Sequence, residues 1–271
     1  MYKLLVLDLD GTLTDKKKEI PARNLETLLL AQEKGLKIVL ASGRPTFGIT
    51  PLATQLKLEH YGGYILSFNG GQIIDCKTNE IIYENVLDPV HYDYLYEQGN
   101  TEDFKIISYE DNYIVGEDIE NEYVKYEAFL NKMPLKEVEN FRKHFNAPLP
   151  KCLVVGEPEK LAQLEKTMHN QLKEFMSVYR SEPFFLELLP LGIDKAKSLA
   201  VLLKHIGMTK KEMIACGDGF NDLSMIKYAG LGVAMANAQE VVKEAADHIT
   251  LSNEECGVAK VVEDFFLNQI S

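Results

Sequence analysis

The chain has 271 residues, with 29 Lys and Arg against 41 Asp and Glu, a formal net charge of −12. At ~150 residues per domain this is one large domain or two modest ones, long enough to bury a core without disulfide staples. The acidic balance argues against a protein that coats nucleic acid, because phosphate backbones are gripped by excess Lys and Arg, but it leaves room for a small phosphate ester in one local pocket.

The first third alternates strand and helix signals. Lys3–Leu7 reads as a strand, unbroken apolar from Leu4 on, the pattern of a parallel strand buried on both faces. Pro21 stands at the start of a helix carrying Leu25, Leu28 and Leu29, and Gly35 is placed to end it. Leu36–Ala41 reads as a second strand, Pro45 opens a second helix, and Tyr64–Phe68 reads as a third strand. Strand, helix, strand, helix, strand implies right-handed βαβ units and a parallel sheet.

The middle changes character. Ile73 and Ile74 pair with Ile81–Tyr83 across Lys77-Thr78-Asn79, Phe104–Tyr109 with Tyr113–Gly116, and Phe175–Tyr179 with Phe184–Leu189, as hairpins. Cys152–Val155 is a short strand before a helix from Glu159 to about Lys173, and Tyr92, Tyr94 and Tyr96 read as a partly buried helix face. Hairpins mixed with helices suggest a separate α+β unit. From Lys195 the α/β rhythm returns: helix Ala196–His205, strand Met213–Cys216, helix Asn221–Tyr228, strand Leu231–Met235 and helix Gln239–Ala246. The expected architecture is an α/β parallel-sheet core built from residues 1–83 and 187–271, with an α+β domain over 84–186 inserted in it.

Cys76, Cys152, Cys216 and Cys256 form no Cys-x-x-Cys pair, so neither a zinc site nor a redox dithiol is suggested. Free thiols in a reducing compartment are expected. No run reaches the ~18 apolar residues of a membrane span, and no cleavage signal follows the short apolar start. The expectation is a cytoplasmic protein with no membrane partner.

Chemistry concentrates at strand ends. Asp8-Leu9-Asp10-Gly11-Thr12 places two carboxylates where the first strand stops, the edge at which open α/β sheets bind ligands. In an extended chain residues i and i+2 share a side, so both acids could face one substrate, one as nucleophile and the other as acid and base. Burying them calls for a neutralising partner such as a hard cation. On their own they read alternatively as turn or capping residues. Gly217-Asp218-Gly219-Phe220-Asn221-Asp222 repeats the pattern after another apolar strand, and Asp218 and Asp222 read alternatively as plain N-caps. Ser42-Gly43-Arg44, between a strand and a helix, could receive phosphate oxygens, and Lys195 could balance their charge. Standing alone, the first is an ordinary βα turn and the second a solvated lysine.

In this order, the four elements resemble the motifs of the haloacid dehalogenase-like hydrolase superfamily across essentially the whole chain. The inserted segment is similar in place and size to a C2 cap, and its hairpins resemble the C2B caps of the Cof-type sugar phosphatases. Asn69-Gly70-Gly71 resembles that subfamily's Asn-Gly-Ala turn near the substrate, with Gly71 in place of Ala, and Ala196 stands where many relatives have Gly. The resemblance implies a Rossmann-like core and Asp8 as the nucleophile, forming an aspartyl-phosphate. Asp10 would protonate the leaving alcohol and then activate water. Mg²⁺ would be held by Asp8, by the backbone carbonyl of Asp10 and by Asp218, with Asp222 behind them. Phosphate oxygens would meet Leu9 N–H, Ser42, Gly43 N–H, Lys195 and Asn221.

Within that superfamily P-type ATPases have Thr at the place of Asp10 and dehalogenases lack the second Asp. Its presence therefore implies a phosphatase of small phosphorylated metabolites, sugar phosphates first. The alternatives are a phosphomutase of the same architecture and a non-catalytic phosphosugar-binding protein. Arg44, Asn69 and Gly70, and from the insert Lys105, Arg142, Lys151 and Arg180, are candidates to contact substrate. A monomer or weak homodimer is expected.

Overall fold

The computed structural model describes residues 1–269. Leu4–Leu7 forms a strand with every side chain buried, and its residues alternate between two cores. Leu5 and Leu7 pack with Leu28, Ile38, Ile214 and Val258, whereas Leu4 and Val6 pack with Val39, Leu199, Leu202 and Ala215. Successive side chains on a strand point to opposite faces, and here helices cover both, so the sheet is the middle of three layers.

The chain divides into two compact units, one comprising residues 1–83 and the chain from Asp194 onward, the other residues 84–193. The sheet of the first unit runs, in spatial order, His248–Ile249, Leu231–Ala234, Met213–Gly217, Leu4–Leu7, Lys37–Ala41, Tyr64–Ser67, Gln72–Asp75 and Ile81–Glu84. The strands from His248–Ile249 to Tyr64–Ser67 are parallel. Gln72–Asp75 reverses against Tyr64–Ser67, so the first of the expected hairpins extends an edge of this sheet. Its strand Ile81–Glu84 is largely solvated.

The second unit has a six-stranded sheet in the order Met176–Glu182, Phe185–Pro190, Cys152–Gly156, Phe104–Glu110, Tyr113–Gly116 and Leu135–Glu137. Its core gathers Leu95, Ile106, Cys152, Val154, Leu161, Leu164, Leu186 and Leu188. Helix Tyr92–Gly99 buries Tyr92 and Leu95. The expected boundary at 186/187 falls inside the strand Phe185–Pro190, which pairs on both sides within this sheet. The division lies instead after Ile193.

Besides the single-turn helices Leu58–Tyr61 and Phe141–His144, two longer helices are absent from the elements expected from the sequence. Glu122–Asn131 buries Val124, Glu127 and Asn131, a face too polar to show apolar periodicity. Gly257–Phe265 buries Val258, Val261 and Val262, an i, i+3, i+4 spacing that marks one helix face. Among the described residues, no helix is long and apolar enough to cross a membrane, and the four cysteines are free.

Candidate active site

All the motif residues fall in the first unit, at one end of its parallel strands. Leu4–Leu7 pairs in register with Met213–Cys216 on one side and with Lys37–Leu40 on the other, so Asp8, Asp218 and Ser42 leave the sheet side by side. Gly11, at φ +88°, turns the chain so closely over Asp218 that a Cβ there would lie 2.3 Å from its Oδ2. Thr12 Oγ1 donates to Asp218 Oδ1 at 2.8 Å.

Lys195 opens helix Lys195–His205, whose N-cap Asp194 accepts from Lys197 N–H. Its side chain runs inward rather than into solvent and is 1% exposed. Nζ donates to Asp8 Oδ1 at 2.7 Å, to Asp222 Oδ1 at 2.6 Å and to the Ala41 carbonyl at 2.9 Å. The solvated-lysine reading is therefore excluded. Asp222 turns its other oxygen to the N–H groups of Asp218 and Gly219, at 3.0 and 2.9 Å, which locks the turn that carries Asp218.

One oxygen each from Asp8, Asp218 and Asp222 lies within 4.8 Å of the others. Three carboxylates thus face a single ammonium. Burial and then Asp222 push the Asp8 carboxyl well above its usual range, with Lys195 pulling the other way. Burial, opposed by the Thr12 hydrogen bond, lifts Asp218 to about 6. Clustered hard oxygen donors short of positive charge are the chemistry of a divalent-cation site. Both side chains expected to hold a cation, Asp8 and Asp218, lie in this cluster with Asp222 beside them; from Asp10 the expected ligand is the backbone carbonyl, and its carboxylate is turned elsewhere.

That carboxylate is gripped by Arg44, Nε on Oδ2 at 2.9 Å and Nη2 on Oδ1 at 2.6 Å, and by Lys18 Nζ on Oδ1 at 2.7 Å. Burial would raise Asp10, but these two cations bring it below its ordinary value. Asp8 and Asp10 do not share partners as an extended chain would predict, because the strand stops at Leu7 and the chain coils: Leu13 N–H donates to the Asp8 carbonyl and Thr14 N–H to that of Leu9. Arg44, a candidate substrate contact, is here an ion-pair partner, and Lys18 had no motif to mark it.

Ser42 is buried, its Oγ accepting from Arg44 N–H at 3.2 Å. Asn69 lies against this loop: its N–H donates to the Ser42 carbonyl at 2.9 Å, and its Oδ1 accepts from Asn221 Nδ2 at 3.0 Å. The Gly70 carbonyl accepts from Ser198 Oγ at 2.6 Å. Asn221 sits in a 3₁₀ turn, Phe220–Asp222, ahead of helix Leu223–Tyr228, rather than at the start of one continuous helix.

The basic candidates of the second unit are engaged within it. Arg142 binds Asp93, Lys151 is buried on Glu187 at 2.9 Å, Arg180 binds Glu165 at 2.8 Å, and Lys105 donates to the Thr101 carbonyl at 2.7 Å.

Comparison with known proteins gives the same reading. The family model of haloacid dehalogenase-like hydrolases matches residues 5–262. A crystal structure of a haloacid dehalogenase-like hydrolase from Bacteroides thetaiotaomicron is 55% identical, covers 98% of this chain and 100% of its own, and superposes with a TM-score of 0.96. The 5-amino-6-(5-phospho-D-ribitylamino)uracil phosphatase YcsE of Bacillus subtilis (strain 168) is 32% identical over 270 residues, 98% of this chain and 96% of that protein. The subclass IIB sugar phosphatase BT4131 is 28% identical with a TM-score of 0.78, covering 97% of this chain and 98% of its own. The chain belongs to the haloacid dehalogenase-like hydrolases, and among them to the phosphatases.

Proposed function

We propose that this enzyme is a Mg²⁺-dependent phosphatase of small phosphorylated metabolites, sugar phosphates first, working through an aspartyl-phosphate on Asp8. The observation that carries this reading is the buried Asp8 carboxylate held by Lys195 Nζ at 2.7 Å beside Asp218 and Asp222. A nucleophile needs a fixed orientation and a nearby positive charge to receive an anionic phosphoryl group, and this arrangement supplies both. The names of YcsE and BT4131 support phosphorylated small molecules as the substrate class.

The carboxylates of Asp8 and Asp218, and the Asp10 carbonyl, would hold the cation, with Asp222 close behind. When bound, Mg²⁺ supplies charge neutralisation and orientation of the phosphoryl group. Asp8 attacks phosphorus while the bond to the leaving oxygen breaks, and protonated Asp10 gives that oxygen its proton. Ionised Asp10 then takes a proton from the water that attacks the acyl phosphate, releasing orthophosphate and restoring Asp8. The grip of Arg44 and Lys18 suits the second half, in which Asp10 must be ionised. For the first half that grip must loosen so that Asp10 can carry a proton. Ser42, Gly43, Leu9 N–H, Lys195 and Asn221 receive the phosphate oxygens.

The test is orthophosphate release from a panel of hexose phosphates and other phosphomonoesters with Mg²⁺. Release by the wild type and none by Asp8→Asn is expected. Equal release by Asp8→Asn, or none by the wild type on any ester, overturns the reading.

A further inference from the structure

The turn Phe68–Gly70 is strained and central. Phe68 has φ +52°, Asn69 φ +57° and Gly70 φ +105°. Two successive non-glycine residues in the left-handed region, one of them bulky, persist only where their surroundings over-determine them. Those surroundings are the phosphate-site segments. Phe68 N–H donates to the Arg44 carbonyl at 3.1 Å and Asn69 N–H to the Ser42 carbonyl at 2.9 Å. The Asn69 amide fills the space beside Gly43, where a Cβ would lie 3.1 Å from its Nδ2. Its oxygen holds Asn221 at 3.0 Å, and the next residue's carbonyl is tied to Ser198 on the helix that Lys195 opens. Asn is the non-glycine residue best able to adopt this conformation while offering a side-chain amide.

We propose that Asn69 is a positioning residue: its side chain braces Asn221 and the Ser42–Arg44 loop into a preformed phosphate cradle, and it does not itself bind the substrate. This reassigns Asn69 from the substrate contact expected from sequence. It rests on the reading above in which Asn221 and Ser42 receive phosphate. The physical basis is preorganisation: a free Asn221 amide on an exposed turn must be ordered when phosphate arrives, whereas a braced one is already aimed.

Asn69→Gly is the informative variant, because glycine keeps the left-handed turn and deletes only the side chain. The experiment measures kcat and KM for p-nitrophenyl phosphate, Ki for inorganic phosphate and thermal stability in the wild type, Asn69→Gly, Asn221→Ala and the double variant. Asn69→Gly is expected to raise the phosphate Ki and KM about five- to tenfold, the size of one hydrogen bond's worth of positioning, with a smaller change in kcat. The double variant should be no weaker than Asn221→Ala, because both substitutions remove the same contribution. A wild-type phosphate Ki in Asn69→Gly, with or without a lower melting temperature, overturns the proposal, as do losses that multiply in the double variant. If the wild type neither turns over p-nitrophenyl phosphate nor binds inorganic phosphate, the functional reading fails and the brace with it. If Asn221→Ala weakens phosphate and Asn69→Gly does not, only the brace fails.

Discussion

Replacing Lys195 by methionine isolates the electrostatics of the site. The ammonium lies 2.7 Å from Asp8, 2.6 Å from Asp222 and 2.9 Å from the Ala41 carbonyl, and the residue is 1% exposed. Methionine keeps the length and much of the volume of the side chain, so the cavity contribution is small and the loss is one of charge and hydrogen bonds. Removing one partner of a buried ion pair costs about 3–5 kcal/mol. For a chain of this size each kcal/mol lowers Tm by about 2–4 °C, so in metal-free buffer near pH 8 the variant should melt about 6–20 °C below wild type. The pH dependence carries the sharper test. Burial and Asp222 already raise Asp8 against the pull of Lys195, and loss of the ammonium raises it further. A carboxyl raised in the folded state costs stability when ionised, and that cost is relieved as pH falls through the raised value toward its ordinary 3.8. The deficit should therefore shrink on acidification. Thermal unfolding followed by circular dichroism at a series of pH values measures it. A deficit that stays constant or grows in acid, or one below about 1 kcal/mol at pH 8, refutes the argument. Turnover should fall by at least about 100-fold, since the group orienting Asp8, the proposed nucleophile, is gone.

Asp218 is lifted to about 6, and a ligand must lose its proton to bind a cation. The half-saturating Mg²⁺ concentration should therefore rise at least about fourfold between pH 7.5 and 5.5, from Asp218 alone, and a flat dependence in Mg²⁺ titrations of activity would contradict the raised carboxyl. Arg44→Gln removes two of the donors that hold Asp10 down, so at saturating Mg²⁺ the acid limb of the pH–kcat profile should move to higher pH; an unmoved limb would show that Arg44 does not control Asp10. Gly11→Ala combines a φ of +88° with a Cβ 2.3 Å from Asp218 Oδ2. It should destabilise the protein by about 1–3 kcal/mol and weaken Mg²⁺ activation, and wild-type values of both would show that the turn can shift without cost.

The layered core was legible because its strands are buried on both faces. Runs such as Leu4–Leu7 and Met213–Cys216 carry no polar residue to confuse the period, and their acids fall where the chain leaves the sheet. The helix Gly257–Phe265 was equally legible, since Val258, Val261 and Val262 fall at the i, i+3, i+4 spacing of one helix face, although the elements expected from the sequence end at Ala246. The division of the chain was legible only coarsely. Nothing in Phe185–Pro190 distinguishes a strand that completes the second sheet from one that begins the return to the first; its pairing with Cys152–Gly156 decides that.

The site follows the same logic one level higher. Asp8, Lys195 and Asp218 were legible because each occupies a motif at the end of an element, where position along the chain nearly determines position in space. What a motif cannot convey is the direction of a side chain after the chain has turned. Asp10 follows Asp8 by two residues but faces Arg44 and Lys18, because the backbone coils at Leu9 rather than staying extended. Lys18 reaches it from a turn with no motif of its own. Asn69 meets Asn221 across 152 residues of sequence, a contact that exists only because strand Tyr64–Ser67 takes its place in the sheet beside Lys37–Ala41, with Leu4–Leu7 and Met213–Gly217 next in order. Sheet order is thus the hidden variable. It converts separate motifs into one site, and it brings in residues such as Asn69 and Lys18 whose contribution lies in holding the others still.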